Sequence, residues 1–507
     1  MTTRSHLTRR ALIASLLAGG AGAAFAAPTQ TLRPVVRPDA QIQGEALLSA
    51  RPMLRSTAAD LIREAGLDGQ TGFVIADAAT GQVLEAVDPD TARPPASVTK
   101  AISALYAVET LGADYRFGTR VIGTGPIVEG VLKGDLILAG GGDPTLATDD
   151  LAGLVAQLVA AGITGIDGRF LVWDGALPGV KEIEPGQLDQ LSYNPSLGGL
   201  NLNFNRVMFE WARTASGYDI TMDARSDSLR PPVTAARMRV VDRSSPIYTY
   251  AEGADFDDWT VARRALGGSG SRWLPVRFPA IYAAEVFQVL AAGSGILLPR
   301  GALTDKQPEG ANLAVHESEK LEDVARGMMR FSTNLTAEVL GMTATAARQG
   351  APLSMRLSAD QMAQWVADRT GAVARFADHS GLTDQNEISA AEMVAFLRGT
   401  GVKSTLEPLM REVVMVDDSR RALDGFSGTV RAKTGTLNFV SALAGYVTTA
   451  QGRSLSFAIF SHDPEAREQS KSSLDEAPAG TAAYNGRAKR LQQKLLQRWL
   501  ILGDMTG

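Results

Sequence analysis

Apolar positions recur along the chain with two periods. A helical spacing covers Ala58–Ala65. Two β-like runs, 72–76 and 83–87, flank the polar stretch 77–82, where Gly81 supplies the turn of a hairpin. Pro94-Pro95 cannot sit inside a helix but stiffens the approach to the next one. From 97 to 110 the pattern is helical and apolar almost all round, through Ala101, Ile102, Ala104, Leu105, Ala107 and Val108. Such a helix is buried, and Gly112 ends it.

Residues 116–314 are patterned differently. Short β-like runs at 119–122, 134–138, 170–173, 207–211 and 238–241 alternate with Gly and Pro, and one clear helix, 149–161, lies among them. This predicts an α+β insert of two small lobes, dividing a body made of 27–115 and 315–507. Helical patterning returns at Leu321, Val324 and Met328, then at Leu335, Val339 and Met342. The stretches 429–432, 440–448 and 454–461 read as three successive antiparallel strands. A last helix, 487–500, puts Leu491, Leu495 and Trp499 on one face. Residues 27–45, rich in Pro and Thr, read as a loose leader, and there is no internal repeat.

Composition narrows the class. A chain of 507 residues, 45% hydrophobic and 21% charged, is ordinary globular material of two or three units. With a net charge of −5 and no long basic run, nucleic acid is not an expected partner. Residues 1–26 read as a secretory signal peptide: Arg4, Arg9 and Arg10, an apolar run too short for a bilayer, then Ala24-Phe25-Ala26 as cleavage site. The pair Arg9-Arg10 leaves both the general and the twin-arginine export routes open. Losing the three arginines of this segment, which holds no acids, takes the net charge from −5 to −8. The expected location is the periplasm, with at most peripheral membrane contact. Cysteine is absent, which excludes disulfides and thiol chemistry.

Three short motifs carry the candidate chemistry: Ser97-Val98-Thr99-Lys100, Ser332-Thr333-Asn334 and Lys433-Thr434-Gly435. In this order they form the S-x-x-K, S-x-N and K-T-G set of penicillin-recognising serine enzymes. Ser97 and Lys100 lie one turn apart on one helical face. A serine hydroxyl needs a base, and a lysine serves as one when burial depresses its pKa. Of ten lysines, only Lys100 has a serine three positions before it. On an extended strand Lys433 and Gly435 point one way, Thr434 and Thr436 the other, and the ammonium with the hydroxyls suits a carboxylate. Ser192-Tyr193-Asn194 rivals Ser332-Thr333-Asn334; the latter is preferred because it sits between two helical stretches.

With these motifs in place, the chain resembles the class C low-molecular-mass penicillin-binding proteins, the D-alanyl-D-alanine carboxypeptidase/endopeptidase family of bacterial cell walls. The resemblance rests on 93–100, on Gly134-Asp135-Leu136 with 140–146, on Asp378-His379-Ser380-Gly381-Leu382, and on 431–436. The 235 residues separating Ser97 from Ser332 match that family's long spacing, which ordinary serine β-lactamases lack. At His379 the family more often has glycine. The resemblance implies an α+β fold, a serine β-lactamase/DD-peptidase-like transpeptidase domain with an antiparallel sheet between helices and a large α+β insert. It implies acyl transfer without a cofactor or metal. Ser97 attacks the carbonyl between two D-alanines and Lys100 is the base. The N–H groups of Ser97 and Thr436 form the oxyanion hole. Ser332 relays a proton, Asn334 orients substrate and Lys100, and Lys433, Thr434, Gly435 and Thr436 form the carboxylate site. Implied partners are peptidoglycan stem peptides and, as covalent inhibitors, β-lactam antibiotics. A serine β-lactamase and a catalytically silent peptidoglycan-binding scaffold are the alternatives. There is no G-x-S-x-G, H-E-x-x-H or G-x-x-x-x-G-K-[ST] to support a triad hydrolase, a zinc hydrolase or a phosphate loop.

Overall fold

The computed structural model describes residues 56–423 and 427–505. The signal segment 1–26 and the leader 27–45 fall outside the described residues. Helix α1 (Ala58–Ala65) starts at a capping box, with Thr57 Oγ1 accepting from Asp60 N at 3.1 Å and Asp60 Oδ2 accepting from Thr57 N at 2.8 Å. Strands β1 (Gln70–Asp77) and β2 (Val83–Val87) form the expected hairpin, and Gly81 at φ 81° supplies its turn. Helix α2 (Thr99–Leu111) is buried on every side from Thr99 to Ala107. It starts two residues later than its pattern suggests. Ala96–Val98 forms a 3₁₀ turn instead, because Ala96 sits at φ 47° after Pro94-Pro95.

After the 116–314 region come α3 (Leu321–Phe331), α4 (Asn334–Gln349), α5 (Met355–Thr370) and α6 (Ala390–Leu397). Then follow β3 (Gly428–Leu437), β4 (Val440–Thr449), β5 (Ser454–His462) and α7 (Thr481–Met505). The main sheet has six strands, all antiparallel, ordered Arg411–Glu412, β3, β4, β5, β1, β2. The two-residue period of the strands sorts its faces. Phe73 and Ile75 join Phe457, Ile459, Leu491, Leu495 and Trp499 under α1 and α7. Val74 and Ala76 join Ala442, Ala444, Ala458 and Phe460 against α2 and α4 to α6. The chain is thus α+β, with an antiparallel sheet between two helical layers.

Between α2 and α3 lie a five-stranded sheet, which includes Gly118–Gly123 and its antiparallel partner Ala311–Glu317, and three smaller three-stranded sheets. The runs expected as strands at 119–122, 170–173, 207–211 and 238–241 are strands, and 149–161 is helical over Thr148–Ala160. A second helix, Pro279–Gly293, was not expected. Its sequence is apolar almost all round, with only Glu285 and Gln288 charged or amide-bearing, so it shows little amphipathic stripe to distinguish it from a buried strand.

Trp499 closes the α7 side. Its ring lies 5.4 Å from Phe73 and 5.8 Å from Phe457, and its Nε1 donates to Glu85 Oε2 at 2.9 Å. Trp499→Ala should cost about 3–5 kcal/mol in urea-induced unfolding followed through the main sheet. A loss below about 1 kcal/mol would mean that α7 does not hold this face.

Candidate active site

The turn that bears Ser97 is held from below. Gly435 of β3 packs so closely on it that a Cβ there would lie 2.5 Å from Pro95 O and 3.0 Å from Ser97 N. Gly381 abuts the other side, where a Cβ would lie 1.8 Å from Ala96 O. The left-handed Ala96 is thereby clamped between two glycines, and such strain persists only where surroundings over-determine it. Ser97 emerges from this turn, part exposed, into a cleft of about 670 Å³.

Lys100, one turn on, is fully buried. Its Nζ lies 2.8 Å from Ser97 Oγ, 2.7 Å from Asn334 Oδ1 and 2.7 Å from the Ser380 carbonyl. Three acceptors match the three positions of an ammonium. Burial pushes the Lys100 pKa down to about 7, and the charges of Asp378 and Glu338 oppose that shift. Asp378 is itself pushed up by burial and by Glu338, although the N–H groups of Thr383 and Gly381 favour its charged form.

Ser332 caps α3 in the left-handed conformation at φ 58°, its N–H donating to Met328 O at 2.7 Å. Its Oγ accepts from Lys433 Nζ at 3.0 Å. Lys433 is buried, and burial with the nearby Lys100 and Arg411 charges holds its pKa well below the ordinary range. On β3, Lys433 and Gly435 face inward while Thr434 and Thr436 are exposed, following the strand period. Ser97, Ser332, Asn334, Lys433, Thr434 and Thr436 line one cleft; Lys100 lies behind its wall and Gly435 forms its backing. All eight residues singled out from the motifs therefore meet at one place.

The rival Ser192-Tyr193-Asn194 enters by a different route. Asn194 bonds the backbone of Glu184, at 3.0 Å from N and 2.8 Å from O. The Tyr193 carbonyl accepts from Asn334 Nδ2 at 2.8 Å, and so fixes which end of that amide faces Lys100. The Ser380 and Tyr193 carbonyls, Asp378 and Glu338 were not legible as site residues. Backbone carbonyls carry no sequence signal. Glu338 does stand four residues after Asn334 on α4, on the same helical face.

His379 lies outside the cleft. Its ring fills the space over Gly341, where a Cβ would come within 1.9 Å of it. Nδ1 lies 2.9 Å from Glu338 Oε2, and Nε2 lies 2.9 Å from Ser358 Oγ. This Ser–His–acid alignment has hydrolase-like spacing, yet all three residues are 0% exposed, so no substrate reaches it.

Comparison with known proteins gives a consistent family. A family model described as D-Ala-D-Ala carboxypeptidase 3 (S13) matches residues 54–480. The D-alanyl-D-alanine carboxypeptidase of Actinomadura sp. (strain R39) is 26% identical over 445 residues, 80% of each chain. The D-alanyl-D-alanine carboxypeptidase DacB of Haemophilus influenzae is 25% identical over 421 residues, 79% of this chain and 87% of its own. Among solved structures, penicillin binding protein 4 (dacB) of H. influenzae superposes with a TM-score of 0.69 at 22% identity, covering 87% of this chain and 99% of that one. It is also known in complex with a β-lactam. The likeness shows a shared DD-peptidase fold.

The clamp on the Ser97 turn has a measurable consequence. Gly435→Ala should push the turn away from β3 and slow covalent labelling of Ser97 by a fluorescent penicillin about a hundredfold, with the circular dichroism unchanged. Labelling at the wild-type rate would show that Gly435 is free of this constraint.

Proposed function

The chain belongs to the D-Ala-D-Ala carboxypeptidase 3 (S13) family and is a serine-type DD-peptidase; on that premise we propose that Ser97 is its acylated nucleophile and Lys100 the general base. The observation that carries this reading is the Lys100 cage. Asn334 Oδ1 and the Ser380 carbonyl take two N–H bonds, which leaves the third position of Nζ directed at Ser97 Oγ, 2.8 Å away. In the neutral amine that position is a lone pair, ready to accept the serine proton as Oγ attacks the carbonyl between two D-alanines.

The N–H groups of Ser97 and Thr436 receive the developing oxyanion. Losing one such donor typically costs about a hundredfold or more in rate. The proton passes from Lys100 by way of Ser332 to the leaving amine, and water then hydrolyses the ester on Ser97. Asn334 holds substrate and Lys100. Lys433, Thr434 and Thr436, backed by Gly435, receive the terminal carboxylate. Burial and the nearby Lys100 and Arg411 charges depress the Lys433 pKa. An arriving carboxylate favours its charged form, so substrate binding is coupled to proton uptake there.

The substrates in this reading are peptidoglycan stem peptides, ending in D-Ala-D-Ala or cross-linked through D-Ala, and β-lactams act as covalent inhibitors. Residues 1–26 direct the chain to the periplasm. Among the described residues no helix is long and apolar enough to cross a membrane. Residues 116–314 form an inserted unit that lends Tyr193 to the cleft.

Labelled penicillin and purified wall fragments test the assignment together. The wild-type protein should hold the label on Ser97, release D-alanine or open cross-links, and lose both properties in Ser97→Ala. Retention of peptidase activity in that variant would rule out Ser97 as the nucleophile, and rapid turnover of the label would mark a β-lactamase instead.

A further inference from the structure

A second cavity, of about 320 Å³, lies against the catalytic cleft. One wall is α3, through Val324, Gly327, Met328 and Phe331; the opposite wall includes Leu146, Phe204 and Trp273. Phe204, Arg206, Phe331 and Thr333 border both spaces. Ligand sites are typically concave, mostly apolar, and carry a few fixed polar groups. This cavity has that make-up.

Its polar groups are unspent. Thr336 is 1% exposed, lines the cavity, and its Oγ1 has no hydrogen-bond partner. Arg206 also lines it, with its Nε buried and without an acceptor. Among the described residues no carboxylate pairs with the Arg206 guanidinium. It lies instead 5.0 Å from the Phe204 ring centre and 5.6 Å from that of Trp273. Buried polar groups left without partners carry a desolvation penalty that a ligand can relieve. The other lining charges are accounted for or wet. Arg225 pairs with Asp223 and Glu210, Asp323 pairs with Arg326, Asp149 accepts from Ser226, and Asp227 and Glu319 are exposed.

Two further features keep the space open. Asn203, Phe204 and Asn205 all sit at positive φ, 51°, 58° and 50°, a costly run for three side-chain-bearing residues. It is secured by buried amides: Asn203 Oδ1 accepts from Thr148 N at 3.1 Å, and Asn205 Nδ2 donates to Ser196 O at 2.8 Å. This run sets Phe204 and the following Arg206 in the wall between the two spaces. Gly327 stands in the middle of α3, where glycine costs about 0.5–1 kcal/mol against alanine. A Cβ there would meet nothing within 4 Å.

We propose that this cavity is a second ligand site, distinct from the Ser97 cleft, for a small organic carboxylate on a flat apolar body. The guanidinium takes the carboxylate in a two-pronged hydrogen bond, Thr336 Oγ1 donates to the ligand, and Phe204, Trp273, Met328 and Phe331 enclose its apolar part. A phosphate fits less well, because its second charge faces Asp149 and Asp323 with one unpaired guanidinium to offset it.

Titration calorimetry with naphthalene-2-carboxylate as the probe tests this. The wild-type protein should bind one equivalent with a Kd below about 1 mM. Naphthalene-2-carboxamide, of the same shape without the charge, should bind at least tenfold more weakly, and Arg206→Gln should weaken the carboxylate by a similar factor. Gly327→Leu should abolish binding by filling the cavity, while its melting temperature does not fall and its rate of penicillin labelling stays at the wild-type value. Binding should also survive in protein whose Ser97 has been fully acylated by benzylpenicillin, as verified by mass. Absence of binding to the wild-type protein, equal binding of carboxamide and carboxylate, undiminished binding by folded Gly327→Leu, or displacement by the acyl group would each overturn the proposal.

Discussion

The structure turns on one buried amine. Lys100 is fully buried, and the three neighbours of its Nζ are an amide oxygen, a backbone carbonyl and the Ser97 hydroxyl. Desolvation penalises its charged form by more than the charges of Asp378 and Glu338 return, which is why its pKa falls from an ordinary 10.5 to about 7. The same shift has a sign in stability. Below about 7 the folded chain must carry a buried charge, and the penalty is fully present. Between about 7 and 10.5 the unfolded chain binds more protons than the folded one, so stability rises with pH and the penalty fades. A fold that keeps such a lysine carries a destabilising group in its core, as is common where chemistry needs a tuned pKa.

Holding that amine requires parts far apart in the chain. The 3₁₀ turn Ala96–Val98 delivers Ser97 and helix α2 delivers Lys100, α4 delivers Asn334, the loop after α5 delivers the Ser380 carbonyl, and β3 closes the turn from below through Gly435. Each contributor is braced by its own shell. Asp378 collects the N–H groups of Gly381, Leu382 and Thr383, which fixes the loop bearing Ser380. Glu338 accepts from His379 N at 2.9 Å, which anchors the same loop to α4. Tyr193 orients Asn334 from within the 116–314 region, so the catalytic geometry depends on that region being in place.

How much of this was legible in the sequence follows from what kind of group each residue uses. The strands and helices of the main sheet have strong periods, so β1, β2, β4, β5 and α2 are readable to within two residues at each end, whereas only the middle of α7, 487–500, shows its period and the helix extends over Thr481–Met505. The helix Pro279–Gly293 hid because its sequence is apolar almost all round, which weakens the amphipathic signal. Side-chain participants with fixed spacing, Ser97 with Lys100 and Lys433 with Gly435, could be named directly, since one helical turn or one strand period sets their relation. Asn334 was harder, because Ser192-Tyr193-Asn194 offers the same letters; in the structure both segments reach the site, one by a side chain and one by a backbone carbonyl. The Ser380 carbonyl, the clash that reserves Gly381 for glycine, and the cavity beside Gly327 exist only in three dimensions.

The proposed role of Lys100 is that of a base kept neutral at working pH by burial. The direct measurement is the second-order rate of Ser97 acylation by a β-lactam whose own charge is constant from pH 5 to 10. The rate should climb with pH through a single ionisation near 7 and then level, as the amine loses its proton. A rate that stays low until pH approaches 10, as an ordinary lysine would dictate, or one that is flat throughout, would contradict it.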